Sequence, residues 1–194
     1  MKQNMEPMVF GLCGEKPVRE PLHYTACGLD NVYLCSGFIR EEFDGEIYTS
    51  VKSMDHLYMM IAFSLSIKRR QLTGKELRFL RKYLDLTQNE MSDRLDVHRK
   101  TINAYECERK AISWNVQTIL QIIALTDIIK TLKALARKRN NSFHELFKPE
   151  IQDIMEYMLH KKAEINRPED NVMPPFIANA MIGKWKTQSG SSPT

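Results

Sequence analysis

A chain of 194 residues, 43% hydrophobic and 27% charged, has room for one ordinary domain or two small ones and enough apolar side chains to bury a core. No run approaches the roughly 18 apolar residues that span a bilayer. The opening MKQNMEPMVFGLCGEK has neither an apolar h-region nor a small-residue cleavage site, so a cytoplasmic protein is expected.

The charge is unevenly placed. Residues 1–67 hold 5 Lys/Arg against 9 Asp/Glu, residues 68–110 hold 12 against 7, and residues 111–194 hold 11 against 8. An acidic head ahead of a basic middle suggests that the middle meets a polyanion.

Residues 1–21 carry Pro7, Pro17 and Pro21 with no sustained period and read as a flexible leader. The stretch from Asn31 to Arg40 is rich in β-formers, and Asp44-Gly45 separates it from Glu46–Val51. An Asp-Gly pair between β-prone runs predicts a hairpin, because both central residues of that turn need positive φ. Ser53 is placed to cap a helix with Met54, Leu57, Tyr58, Ile61 and Leu65 on one face, ended by Lys68-Arg69-Arg70. This predicts a small β-hairpin-plus-helix unit over 22–70.

Residues 71–139 read as a helical domain. Thr73 caps a helix carrying Leu77, Leu80 and Leu84 on one face. Thr87 and Glu90 have the spacing of a capping box and start a second, short helix that Asp96 and Val97 interrupt. Residues 98–106 make a third. Two short helices across a tight turn in a basic segment fit a helix-turn-helix plan. Ser113 then caps a long apolar stretch that Asp127 is expected to break. Residues 140–165 predict a further C-terminal helical segment, split by Pro149, and 166–194 an extended or disordered tail. The expected fold class is mainly α, with a small N-terminal β-hairpin unit.

The string LTQNEMSDRLDVHRKTINAYE resembles the helix-turn-helix of the Cro/phage-repressor (XRE) family. Thr87, Gln88, Glu90, Leu95, Val97, Thr101, Ile102, Tyr105 and Glu106 stand where that family's pattern wants them. Asp96 takes the place of the turn glycine, and Glu108 that of the glycine after the aromatic-Glu pair. The resemblance implies a five-helix bundle in the middle of the chain that binds double-stranded DNA as a transcriptional regulator, most simply a repressor. The upstream HYTACGLDNVYLCSGF resembles the region ahead of the helix-turn-helix in MqsA-like antitoxins. Those bind zinc through paired CxxC motifs. This chain has none, so no metal site carries over.

In such a protein the third helix lies in the major groove. By position, Arg99, Lys100, Asn103 and Ala104 face base edges: Arg and Lys suit guanine, Asn adenine, and Ala a thymine methyl. Thr87, Gln88, His98, Thr101, Arg109 and Lys110 are placed for phosphates, with His98 and Thr101 also able to cap the helix. One short helix reads few base pairs, so a homodimer on paired half-sites is expected. Its interface lies in 113–139 or in the N-terminal unit.

Other chemistries find less support. Cys13, His23, Cys27 and Cys35 are separated by 9, 3 and 7 residues, unlike the close pairs of a zinc ribbon or finger. With Cys107 they make four cysteines, too few for a disulfide framework, and are expected reduced. No nucleophile motif surrounds any of them, so neither an enzyme nor a cofactor is expected. A second reading gives the acidic N-terminal unit a protein partner, as in an antitoxin that autoregulates its operon.

Overall fold

The computed structural model describes residues 7–138, 181–182 and 185–188. The chain divides into two compact units, one of residues 1–61 with 177–194 and one of residues 62–176.

The first unit is built on a five-stranded mixed sheet and a separate two-stranded ribbon. The sheet strands are β1 (Met8–Leu12), β2 (Leu22–His23), β3 (Val32–Leu34), β6 (Met181–Ile182) and β7 (Trp185–Thr187), in the order β2-β3-β1-β7-β6. The central strand β1 runs parallel to β3, with Phe10 opposite Leu34, and antiparallel to β7, with Leu12 opposite Trp185. Phe10, Leu34 and Trp185 have no exposed surface. The indole N–H of Trp185 donates to the carbonyls of Lys52 and Ser53, each at 3.2 Å. Gly37 makes room for the ring: its φ is +83°, and a Cβ there would lie 2.4 Å from a Trp185 ring carbon. A side chain at this position would meet both steric and conformational opposition.

The ribbon pairs β4 (Phe38–Phe43) with β5 (Glu46–Val51) through Asp44 and Gly45, both at positive φ. Helix α1 (Met54–Ser66) follows, and the division between the units falls within it.

The second unit holds α2 (Gly74–Tyr83), α3 (Gln88–Arg94), α4 (Arg99–Glu106) and α5 (Trp114–Lys138). Leu77, Leu80, Met91, Leu95, Ile102 and Tyr105 are buried, and Leu120, Ala124 and Ile128 of α5 are buried as well. Two buried glutamines satisfy the loop before α2. Gln117 accepts from Leu72 N–H at 2.8 Å and donates to the Arg70 carbonyl at 2.9 Å. Gln121 donates to the carbonyls of Leu65 and Lys68, at 3.0 and 2.9 Å. Unpaired, these backbone groups would each carry the desolvation cost of a buried orphan.

These facts correct the expected fold class. The described residues hold five helices and seven strands in two sheets, so the chain is not mainly α with a small hairpin unit. The leader expected over 1–21 contains β1, a short apolar run hidden between prolines, and the tail expected over 166–194 contains β6 and β7. The β-rich stretch 31–40 is two strands in two different sheets, because Gly37 turns the chain between them. The two compact units divide at 61/62, within α1. Helix α5 passes through Asp127 without a break. The helical segment expected at 140–165 lies outside the described residues. Among the described residues no helix is long and apolar enough to cross a membrane.

Candidate nucleic-acid interface

Three short helices in series, α2 to α4, use the same devices at their ends. At the N-terminus of α2, Thr73 Oγ1 accepts from Glu76 N–H at 3.2 Å, while the Glu76 carboxylate accepts from Thr73 N–H at 2.8 Å. Lys68 Nζ adds a contact of 2.6 Å to each oxygen of this buried carboxylate. The start of α3 repeats the box with Thr87 and Glu90, at 3.2 and 2.7 Å. The Thr87 backbone N–H, and then its hydroxyl, hold the Glu90 carboxyl below the usual range, because they favour its charged form. For α4 the cap is His98, whose Nδ1 accepts from Lys100 N–H at 3.1 Å.

The C-termini match as well. Leu86 N–H donates to the Arg81 carbonyl at 3.0 Å, Val97 N–H to that of Ser92 at 3.0 Å, and Arg109 N–H to that of Ala104 at 2.9 Å. Each closes a Schellman motif, which needs a left-handed residue just before the donor. Those residues are Asp85, Asp96 and Glu108, with φ of 52°, 49° and 57°. The two positions where the XRE resemblance wants glycine therefore have the backbone that glycine favours, held by acidic side chains.

The turn at Asp96 sets α3 against α4, with Ser92 and Ile102 buried on their inner sides. Gly74, the first residue of α2, lets the end of α4 approach: a Cβ there would lie 2.4 Å from the Tyr105 carbonyl oxygen. A buried polar clamp then fixes α4. Arg81 donates to both oxygens of Glu106, from Nε at 2.5 Å and Nη2 at 3.1 Å, and its Nη1 donates to the Leu86 carbonyl at 2.8 Å. Gln88 Nε2 donates to Glu106 Oε2 at 3.0 Å.

The expected base-facing residues fall on one side of α4. Arg99 and Lys100 are exposed, while Asn103 and Ala104 are half-buried. Asn103 Oδ1 accepts from the Arg109 guanidinium, so a residue expected at a base edge and one expected at a phosphate are paired to each other. Among the residues expected at phosphates, Thr87 and His98 are exposed but act as caps, and Gln88 is drawn inward to Glu106. Thr101 is half-buried. Lys110 is exposed and lies 5.9 Å from the Tyr105 ring centroid, a cation–π contact.

The sequence does not announce the carboxylate partners of Arg81 and Lys68. Arg81 lies 25 positions from its partner, and no local spacing announces the pair. The four thiols are free; burial pushes those of Cys27 and Cys35 up. Among the described residues no group of three or more His, Cys, Asp or Glu is placed to hold a metal ion. No family model, curated protein or solved structure matches the chain.

Proposed function

We propose that this chain is a cytoplasmic, sequence-specific DNA-binding regulator, a homodimeric repressor of the XRE-like kind its sequence resembles, and not an enzyme. The observation that carries the reading is the two-sidedness of α4. Ile102 and Tyr105 are locked inward, while Arg99 and Lys100 stand exposed on a helix whose ends are capped and whose position the Arg81–Glu106 pair fixes. A helix held this firmly, with donors on its free side, suits insertion into a major groove, where guanine offers O6 and N7 as acceptors. Lys110 supplies charge for the backbone, so affinity falls as salt rises.

Selection of bound sequences from random DNA tests this directly. The wild type enriches a two-half-site motif, and Arg99→Ala loses the enrichment at one step in each half. A wild type that enriches nothing overturns the reading.

One observation favours a second role for the first unit. On the β4–β5 ribbon Phe43, Ile47 and Tyr48 are 74%, 71% and 57% exposed, among the acidic Glu41, Glu42, Asp44 and Glu46. Apolar side chains framed by acids suit a basic protein partner, as in the antitoxin-like alternative. Co-purification of a small basic protein that Phe43→Ser releases supports this role. Equal recovery with both forms counts against it.

A further inference from the structure

Asn103 shares the outward face of α4 with Arg99 and Lys100, four and three positions before it. An asparagine free at such a place suits adenine, whose edge offers N6–H as donor and N7 as acceptor to an amide that offers one of each. The surroundings of Asn103 remove half of that match. Glu108, at φ 57°, turns the chain back, and the Arg109 N–H closes on the Ala104 carbonyl at 2.9 Å. This returns the Arg109 side chain to α4, where its Nη2 donates to Asn103 Oδ1. Cys107 Sγ stands 3.9 Å from the same oxygen as a second, weak donor.

A guanidinium has five donors and no acceptor, so the amide can face it only with its oxygen. The side of Asn103 left for a ligand is therefore Nδ2, with two N–H donors. Among the base edges of the major groove, guanine alone offers two neighbouring acceptors, O6 and N7, and no donor.

We propose that Arg109 is a specificity-determining residue: by holding the amide oxygen of Asn103, it presents Asn103 as a donor and directs it to guanine instead of adenine. The inference rests on the DNA-regulator reading and adds to it which base the middle of α4 selects. It also separates Arg109 from Lys110, whose charge meets only the Tyr105 ring on α4 and holds no base-facing side chain, which leaves it to phosphates.

The test is selection of bound sequences from random DNA with four forms of the full chain: wild type, Arg109→Ala, Lys110→Ala and Asn103→Ala. Asn103→Ala identifies the step that Asn103 reads, as the one whose preference it erases. At that step the wild type enriches guanine, and Arg109→Ala shifts the preference towards adenine by about tenfold or more, the scale of one bidentate contact. Lys110→Ala weakens binding evenly across sequences and leaves the step unchanged. Identical base preference in wild type and Arg109→Ala overturns the assignment alone. A wild type that enriches no sequence overturns the regulator reading and this assignment together. Arg109→Met, which keeps the length of the stem without the donors, must repeat the shift seen with alanine.

Discussion

Arg81 on α2 and Glu106 at the end of α4 form a two-point ion pair across 25 positions of chain, with side chains only 12% and 4% exposed. Removing one partner from such a pair strands the other charge away from water, at a cost of about 3–5 kcal/mol. Arg81→Met is expected to destabilise by that amount. The double variant Arg81→Met/Glu106→Leu recovers part of the loss, because it strands no charge, although the Leu86 carbonyl and the Gln88 amide lose their partners. Urea unfolding of the two singles and the double checks this through the coupling term. Additive losses would show that the pair contributes nothing of its own.

The left-handed residues give a second expectation, graded by side chain. An L-residue there costs roughly 1–2 kcal/mol, less for Asp, while glycine loses about 0.5–1 kcal/mol of unfolded-state freedom. Glu108→Gly is therefore expected to stabilise by about 0.5–1 kcal/mol, raising the melting temperature by a few degrees. Asp96→Gly gains less. Asp96→Val, β-branched at φ 49°, loses about 2 kcal/mol. Thermal melts of the three variants rank them, and a Glu108→Gly protein that melts below wild type contradicts the strain argument.

What was legible in the sequence was local. Thr87 with Glu90 and Asp44 with Gly45 are signals a few residues wide, and the capping box and ribbon turn formed where they stood. What was missed depended on distance along the chain. The run Met-Val-Phe-Gly-Leu is too short to announce a strand between prolines, and it becomes the sheet centre only because β3 and β7 flank it. Trp185 stands between Lys184 and Lys186 in a strand of only three residues, too short to be announced by alternation, and its partner strand β1 lies far off along the chain. Asp127 interrupts the apolar run, yet one half-buried carboxylate does not interrupt a backbone ladder. In the candidate interface, the outward positions of Arg99 and Lys100 followed from their place in the helix-turn-helix pattern that the sequence resembles. The capture of Gln88 by Glu106 and of Asn103 by Arg109 did not, because side-chain pairing is decided in space.

Trp185 supports the next prediction. It is fully buried under Gly37, and the only other tryptophan, Trp114, is 43% exposed. Trp185→Ala is expected to cost about 3–5 kcal/mol in the first unit. Removal of residues 181–194 also leaves one edge of β1 unpaired. Emission from the buried indole, blue-shifted in wild type, disappears in both variants. A Trp185→Ala protein with unchanged unfolding midpoint would mean that β7 does not belong to the core.

Acid offers a test that reports on each unit separately. The Glu90 carboxyl is held down by the Thr87 backbone N–H and hydroxyl. That of Glu15 is held down by Lys52 and by the Gly37 N–H, at 2.7 and 2.8 Å. Both folded values lie below the unfolded one, taken as 4.5, so the stabilisation is present above that pH and is lost as pH falls through the lowered values. Carboxylate NMR titration is expected to place both midpoints below 4.5. Lys52→Met raises the Glu15 midpoint and leaves Glu90 unmoved. Thr87→Ala raises the Glu90 midpoint only partway, because the backbone donor remains. Glu90→Gln keeps an acceptor for that donor and flattens its share of the acid dependence. A Glu90 midpoint at or above 4.5 would mean that the capping box at α3 is open in solution.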